Sequence, residues 1–353
     1  MKALVTGATG LIGNSVVLAL LKKGDNVKAL VRSLSNLQLL PQHIELFHGD
    51  MLDAESLKNA AKDCDIIFHT AGKFAYWGYD NQKFIDECKQ GMEDVIMAAA
   101  ANNIKRVVFT SSSVTIGATE KRQVLTESSP GNFDEAPGYV IAKVQQEQTA
   151  FASGKKNGVE VIAICPTLTV GGPDTHLTES NRMIVNYIKD PYKSTWVGGC
   201  NIVSVKDIAD AILLLADKGV PGERYLACSE NLDWKQVHAM ISELCGLPGP
   251  YLTALRTSSY LLSAMQELWY YLTNEWPTST REQAKMVGKY YWYSSQKLIE
   301  LSWKPISSEA AMAQALSWLV TSDHISPSVR ATIHLHDKIY MDRNSSVSIT
   351  AIK

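Results

Sequence analysis

Along the first half of the chain, short apolar runs ending in glycine or a turn residue alternate with stretches whose apolar positions recur every three or four residues. Ala3-Leu-Val-Thr-Gly7 reads as a fully buried parallel strand. Leu11, Ile12, Val16, Leu20 and Leu21 mark the helix that follows, and Gly24 stops it. Further strands are predicted at Asn26–Val31, Ile44–Phe47, Ile66–His69, Arg106–Thr110 and Val159–Ile164. Between them fall helices over Ala54–Ala61, capped by Asp53, and over 82–103, ending at Asn102-Asn103. Such alternation implies right-handed βαβ units and a parallel sheet.

From about residue 167 the pattern changes. Gly171-Gly-Pro, Gly198-Gly and Pro248-Gly-Pro punctuate shorter elements, and aromatic residues become frequent. The expected division is a sheet domain over 1–166, completed by segments near 200–227, and a mainly substrate-binding region over 167–320. Residues 321–353 lack periodicity and are held as a tail of unknown role. Tyr260–Leu272 is too short to span a bilayer and carries Glu267 in its middle; it reads as an amphipathic, soluble stretch, with light membrane contact left open. The apolar run after Lys2 is interrupted by Gly7, Gly10 and Gly13, which argues against a secretory signal.

Composition narrows the partner. The 353 residues are 46% apolar and 20% charged, outside the range of disordered chains. Thirty-four Lys and Arg balance thirty-six Asp and Glu, leaving a net charge of −2 and no electrostatic footprint for nucleic acid or for an anionic membrane. The partner is expected to be a small molecule. The six cysteines form no Cys-x-x-Cys pair, so no metal site is expected, and they read as reduced packing thiols of a cytoplasmic protein.

Thr6-Gly7-Ala8-Thr9-Gly10-Leu11-Ile12-Gly13 falls where the first strand turns into the first helix. In that position Gly7 permits the tight turn, Gly10 lets backbone N–H groups approach a pyrophosphate, and Gly13 lets the helix pack close to the sheet. The fold class is therefore α/β, a Rossmann-type doubly wound parallel sheet with a smaller C-terminal substrate-binding region. The second strand ends Val31-Arg32-Ser33 with no carboxylate for a ribose 2′-hydroxyl. Arg32 is the candidate for an adenosine 2′-phosphate, so NADP (NADPH) is expected, with NAD the alternative.

Tyr139-Val-Ile-Ala-Lys143 follows Gly138, a natural helix start, and its spacing puts phenol and ammonium one turn apart on one face. A free tyrosine ionises near pH ~10, and a nearby ammonium favours the phenolate. The fifth strand ends in Thr110-Ser111-Ser112-Ser113, at the carboxyl edge where such sheets bind ligands.

These residues together resemble the extended short-chain dehydrogenase/reductase superfamily, the NAD-dependent epimerase/dehydratase family, over nearly all of 1–320. The resemblance implies adenine contacts from Asp50 and Met51 in Gly49-Asp-Met, and a cofactor-lining segment Thr70-Ala71-Gly72 after His69. It places Pro166 and Thr169, in Cys165-Pro-Thr-Leu-Thr-Val-Gly-Gly-Pro173, beside the nicotinamide. It makes Tyr139 the acid/base, Lys143 its partner and ribose ligand, and Ser112 the hydroxyl on the substrate oxygen, with Ser113 as second choice. The implied cofactor set is thus Gly7, Thr9, Gly10, Leu11, Ile12, Gly13, Arg32, Asp50, Met51, Thr70, Ala71, Gly72, Lys143, Pro166 and Thr169. The chain departs from the pattern at Cys88, where an asparagine is usual, and at Cys165, where an arginine is common. Within the superfamily it looks most like the dihydroflavonol-reductase and 3β-hydroxysteroid-dehydrogenase-like branch, and a homodimer is expected by resemblance.

Phe74, Tyr76 and Trp77, after the fourth strand, are candidates for an apolar substrate wall, as is Tyr187; Trp196 and the Trp269-Tyr-Tyr cluster are further ones. Two activities follow. The first is an NADP-dependent reductase or dehydrogenase moving a hydride between nicotinamide and a carbonyl or alcohol of a hydrophobic small molecule. The alternative is a nucleotide-sugar epimerase or dehydratase with tightly bound NAD, which needs cations for a diphosphate. Arginines are few in the second half, Arg182, Arg224, Arg256, Arg281 and Arg330 among them. A non-catalytic dinucleotide sensor is a third reading, disfavoured by the retained Tyr139 and Lys143.

Overall fold

Parallel strands bury both faces, and the apolar runs read above supply such strands in a computed structural model that describes residues 1–72 and 76–336. In chain order β1 (Lys2–Thr6), α1 (Leu11–Lys23), β2 (Asn26–Val31) and β3 (Glu45–His48) are followed by α2 (Ala54–Ala60) and β4 (Ile66–His69). Then come α3 (Asn81–Ala101), β5 (Arg106–Thr110), a 3-10 turn (Ser113–Ile116), α4 (Gly138–Asn157) and β6 (Glu160–Pro166). The second half holds β7 (Leu168–Val170), α5 (Glu179–Lys189), β8 (Ser194–Trp196), β9 (Gly199–Ser204), α6 (Val205–Lys218), β10 (Arg224–Ala227) and β11 (Glu230–Asp233). It continues with α7 (Trp234–Cys245), β12 (Leu252–Ala254), α8 (Arg256–Thr273) and shorter helices.

Seven parallel strands form one sheet in the order β10-β6-β5-β4-β1-β2-β3. The direction of winding reverses between β1 and β4, so a crevice opens outside the carboxyl ends of those two strands. Apolar side chains of α1 and α6 fill one face of the sheet, and those of α2, α3 and α4 the other. From the stretch 200–227 only β10 joins this sheet. Gly199–Ser204 pairs with β7 and β11 in a separate three-stranded sheet.

A second core gathers α5, α7 and the helix Ser308–Leu319 around that small sheet. Residues between 321 and 336 dock on it. Ile325, Val329, Ile333 and Leu335 pack there, and His334 and His336 donate backbone hydrogen bonds to Cys245 and Leu244.

Two fully buried histidines lock these cores in neutral form. His69 Nδ1 meets Thr6 Oγ1 at 2.7 Å, His238 Nδ1 meets Thr195 Oγ1 at 2.8 Å, and burial pushes both rings down to about 3. An unfolded histidine titrates near 6.5 and takes up a proton below that pH that the folded ring refuses. Stability therefore falls as pH drops from ~6.5 toward ~3, by about 1.4 kcal/mol per unit for each ring. Urea midpoints at pH 7 and pH 5 test this: His238→Phe should shrink the acid loss by about 2 kcal/mol, and an unchanged loss would contradict it.

Candidate active site

Gly7 and Gly13 set the crevice geometry. Gly7 has φ +73°, and a Cβ on it would lie 2.6 Å from the Ala71 nitrogen. A Cβ on Gly13 would lie 2.1 Å from the Gly7 carbonyl oxygen, so only glycine lets α1 approach the turn this closely. Thr70 fastens the floor by donating its hydroxyl to the Thr6 carbonyl at 2.7 Å. The N-terminus of α1 has no side-chain cap at Gly10 and no acidic residue in its first turn. Its open N–H groups, flanked by Thr9 and carried on Leu11 and Ile12, form a place for an anion.

Along the strand ends, Asp50 and Met51 follow β3. The Asp50 carboxylate accepts the Leu52 N–H at 3.0 Å, and the Met51 methyl lies where a Cβ on Gly91 would come within 2.7 Å. Arg32 is exposed at the end of β2, its backbone N–H donated to Ser35 Oγ at 3.1 Å. Pro166 ends β6, and Thr169 is buried on β7 with its hydroxyl donated to the Thr167 carbonyl at 3.0 Å.

Helix α4 carries the reactive face. Gly138 starts it close against α3, where a Cβ would strike Asn81 Oδ1, and its N–H is held by Glu282 at 3.1 Å. The next residue, Tyr139, is 6% exposed, and its hydroxyl is hydrogen-bonded to Ser112. Burial dominates its acidity and pushes the phenol well above 10, with the Ser112 hydrogen bond acting the other way. The lowering expected from Lys143 does not develop, because the ammonium is turned to the Thr110 carbonyl at 3.4 Å and Gln146 Oε1 at 3.0 Å. Burial lowers Lys143 in turn. Ser113, the second choice for the reacting hydroxyl, is buried beside the Tyr293 phenol, whereas Ser112 lies beside that of Tyr139.

The glycine turn and the Tyr139 face belong to one crevice. Ala71 touches Gly7, and a Cβ on its neighbour Gly72 would lie 3.4 Å from Lys143 Nζ. Thr70-Ala71-Gly72 thus runs from the anion place to the ammonium.

Glu147 is the functional residue that the sequence reading missed. It continues the Tyr139–Lys143 row by one more turn and is buried. Its carboxylate accepts from Ser111 Oγ at 2.5 Å, Thr115 Oγ1 at 3.0 Å and Cys165 Sγ at 3.6 Å, and Arg224 Nη1 of β10 lies 3.1 Å away. This cluster clamps the loop after β5, which carries Ser112, onto α4. The four-residue spacing was its only sequence signal.

Around Tyr139 the walls are apolar. Phe84, Ile85, Cys88, Val114 and Val140 pack with it, flanked by Tyr76, Tyr79 and Tyr291. The Tyr76 ring stands edge-on to Tyr139 at 5.4 Å, and Trp77 stands edge-on to Tyr270 and Tyr271. Phe74 lies outside the described residues. Tyr187 is a correction: it is 3% exposed in the second core, stacked on His238 with its hydroxyl on Ser242 at 2.6 Å, and it lines no part of this crevice. Its position on the inward face of α5 makes it a packing residue. Trp196 packs against the same His238, and His176 is exposed. Among the described residues no group of three or more metal-ligating side chains occurs, and no helix is long and apolar enough to cross a membrane.

Residues 3–228 match the model of the NAD dependent epimerase/dehydratase family. The chain is 28% identical over 342 residues to a putative dihydroflavonol 4-reductase of Synechocystis, covering 91% of this chain and 95% of that one. It is 33% identical over 248 residues to cinnamoyl-CoA reductase 1 of Petunia hybrida, covering 65% and 72%. The crystal structure of gox2253 superposes with a TM-score of 0.80 at 26% identity, covering 92% of this chain and 99% of that one.

Removing the Glu147 carboxylate takes away the acceptor of the Ser111 hydroxyl and the charge partner of Arg224. Glu147→Ala should cost about 3 kcal/mol in chemical denaturation and Glu147→Gln less; equal, near-zero losses would refute the clamp.

Proposed function

The chain belongs to the NAD-dependent epimerase/dehydratase family and is an NAD(P)-dependent oxidoreductase of the extended short-chain dehydrogenase/reductase type; from that premise we propose that it is an NADPH-dependent reductase of a carbonyl on a hydrophobic small molecule. The observation that carries this reading is the continuity of the crevice, from the open N–H groups of α1 through Thr70-Ala71-Gly72 to Lys143, Tyr139 and Ser112.

The dinucleotide fits the residues present. The uncapped α1 N-terminus and the glycine cradle suit its pyrophosphate, Asp50 and Met51 its adenine, Lys143 its nicotinamide ribose, and Pro166 and Thr169 the nicotinamide side. When bound it supplies the hydride that reduces the carbonyl carbon. Tyr139 donates its phenolic proton to the carbonyl oxygen, and its raised pKa keeps that proton in place at neutral pH. Ser112, already hydrogen-bonded to Tyr139, donates to the same oxygen and orients it. Lys143 offsets the charge left on the phenolate.

Two features support an apolar substrate over a nucleotide sugar. The surroundings of Tyr139 are aliphatic and aromatic. Each described arginine of the second half is engaged within the protein: Arg182 by Glu179, Arg224 by Glu147, Arg256 by Glu135, Arg281 by Glu267, and Arg330 by the Ser322 and Ile325 carbonyls. None is left to grip a diphosphate. The relative named as a reductase of dihydroflavonol, a molecule with aromatic rings and no diphosphate, points the same way.

NADPH oxidation against aromatic and alicyclic ketones tests the activity. Tyr139→Phe should lower kcat by about a hundredfold or more while NADPH still binds with unchanged affinity; retained turnover would overturn the assignment. Arg32→Gln should raise the KM for NADPH about tenfold and leave that for NADH unchanged, and equal effects on both would remove Arg32 from the 2′-phosphate.

A further inference from the structure

Helix α8 is built with its polarity reversed. The stripe facing the protein is Ser259, Ser263 and Glu267, four residues apart and all buried. The opposite side carries Leu261, Leu262, Met265, Leu268, Trp269 and Leu272, each more than half exposed. At 100° per residue these six side chains share an arc of about 120°, and with Tyr260 and Tyr271 the uncharged arc widens to about 200°. Of the 21 large apolar side chains exposed among the described residues, 12 lie between Tyr251 and Trp276. An uncharged patch of this extent marks a surface that something covers.

The chemistry of the arc identifies the cover. Both charged groups of α8 lie off it and are neutralised, Glu267 by Arg281 and Arg256 by Glu135. Polar atoms at the rim are turned back into the chain. Gln266 Oε1 accepts from the Thr278 and Ser279 N–H groups, the Ser258 hydroxyl returns to the Leu255 carbonyl, and Trp269 Nε1 donates to Glu275. The face therefore matches a partner with neither charge nor hydrogen-bonding groups. With Tyr260 and Tyr271 its arc of about 200° also exceeds the stripe of about 100° or a little more that a packed helix buries, so one helix of a second copy would leave part of it open. Hydrocarbon can wrap all of it. Trp269, Tyr260, Tyr271 and Trp276 at its edges are the residue types that settle at the headgroup level.

We propose that α8 and its flanks seat the protein on a lipid bilayer, the helix lying in the interface plane with Leu261, Met265 and Leu268 in the acyl region. The patch adjoins the crevice: Trp77 stands against Tyr270 and Tyr271, and Gly78 lies where a Cβ would strike the Trp276 ring, in the loop that also carries Tyr76. On the proposed activity, a lipid-dissolved substrate would reach Tyr139 from the membrane side. The seating itself stands apart from that activity, and its test reads partition alone.

The full chain is floated with phosphatidylcholine vesicles at physiological salt, and Trp emission is followed with brominated phosphatidylcholine in the same vesicles. The wild-type protein should float with the vesicles and show quenched, blue-shifted emission. Met265→Glu/Leu268→Glu should reduce flotation about tenfold or more without lowering Tm, and Trp269→Phe should remove most of the quenching. No flotation or quenching of the wild type overturns the proposal, whatever the variants do. So does flotation confined to anionic vesicles at low salt, and so does sedimentation as a dimer that Met265→Glu/Leu268→Glu dissociates.

Discussion

The close backbone approach at the reversal point of the sheet governs the rest of the molecule. Gly7 touches Ala71, and Gly13 packs under the Gly7 carbonyl and the Thr70 hydroxyl. Any side chain at either glycine would push α1 away from the end of β4. The anion place on α1 and the Thr70-Ala71-Gly72 segment would then separate, and the path to Lys143 would break. His69 and Thr6, hydrogen-bonded beneath this contact, hold the two strand ends in register.

A second constraint works from the other side of the crevice. Glu147 collects the loop after β5 and the β10 arginine onto α4, so that Ser112 meets Tyr139 from a loop held at its base. The acidity of Tyr139 then follows from environment more than from Lys143. A phenol sealed among Phe84, Val114 and Val140 keeps its proton, as the proposed role of proton donor requires.

Much of this was legible in residue order. The glycine turn, the strands around it and the Tyr139–Lys143 pair are local, and their spacing alone places them on a turn and a helix face. What spacing could not show is what comes from far along the chain to meet them. Arg224 reaches Glu147 across 77 positions. Gly199–Ser204 leaves the large sheet for a small one because β7 and β11 offer it partners. Tyr187 is aromatic and near the right region, yet its helix turns it to a core. Residues 325–335 carry no periodicity because they dock as isolated anchors on α7 and its neighbours. Helix α8 has a clear period, but the period does not say which side faces the protein; its polar stripe does, through Glu267 and Arg281.

The central claim is that the glycine turn and the Tyr139 face serve one bound dinucleotide. A crystal structure with NADP bound addresses it directly. The account predicts the pyrophosphate on the N–H groups of Leu11 and Ile12, and Lys143 released from Gln146 to hold the nicotinamide ribose beside Tyr139. A dinucleotide seated away from the glycine turn, or one whose nicotinamide lies apart from Tyr139 with Lys143 still on Gln146, would contradict it.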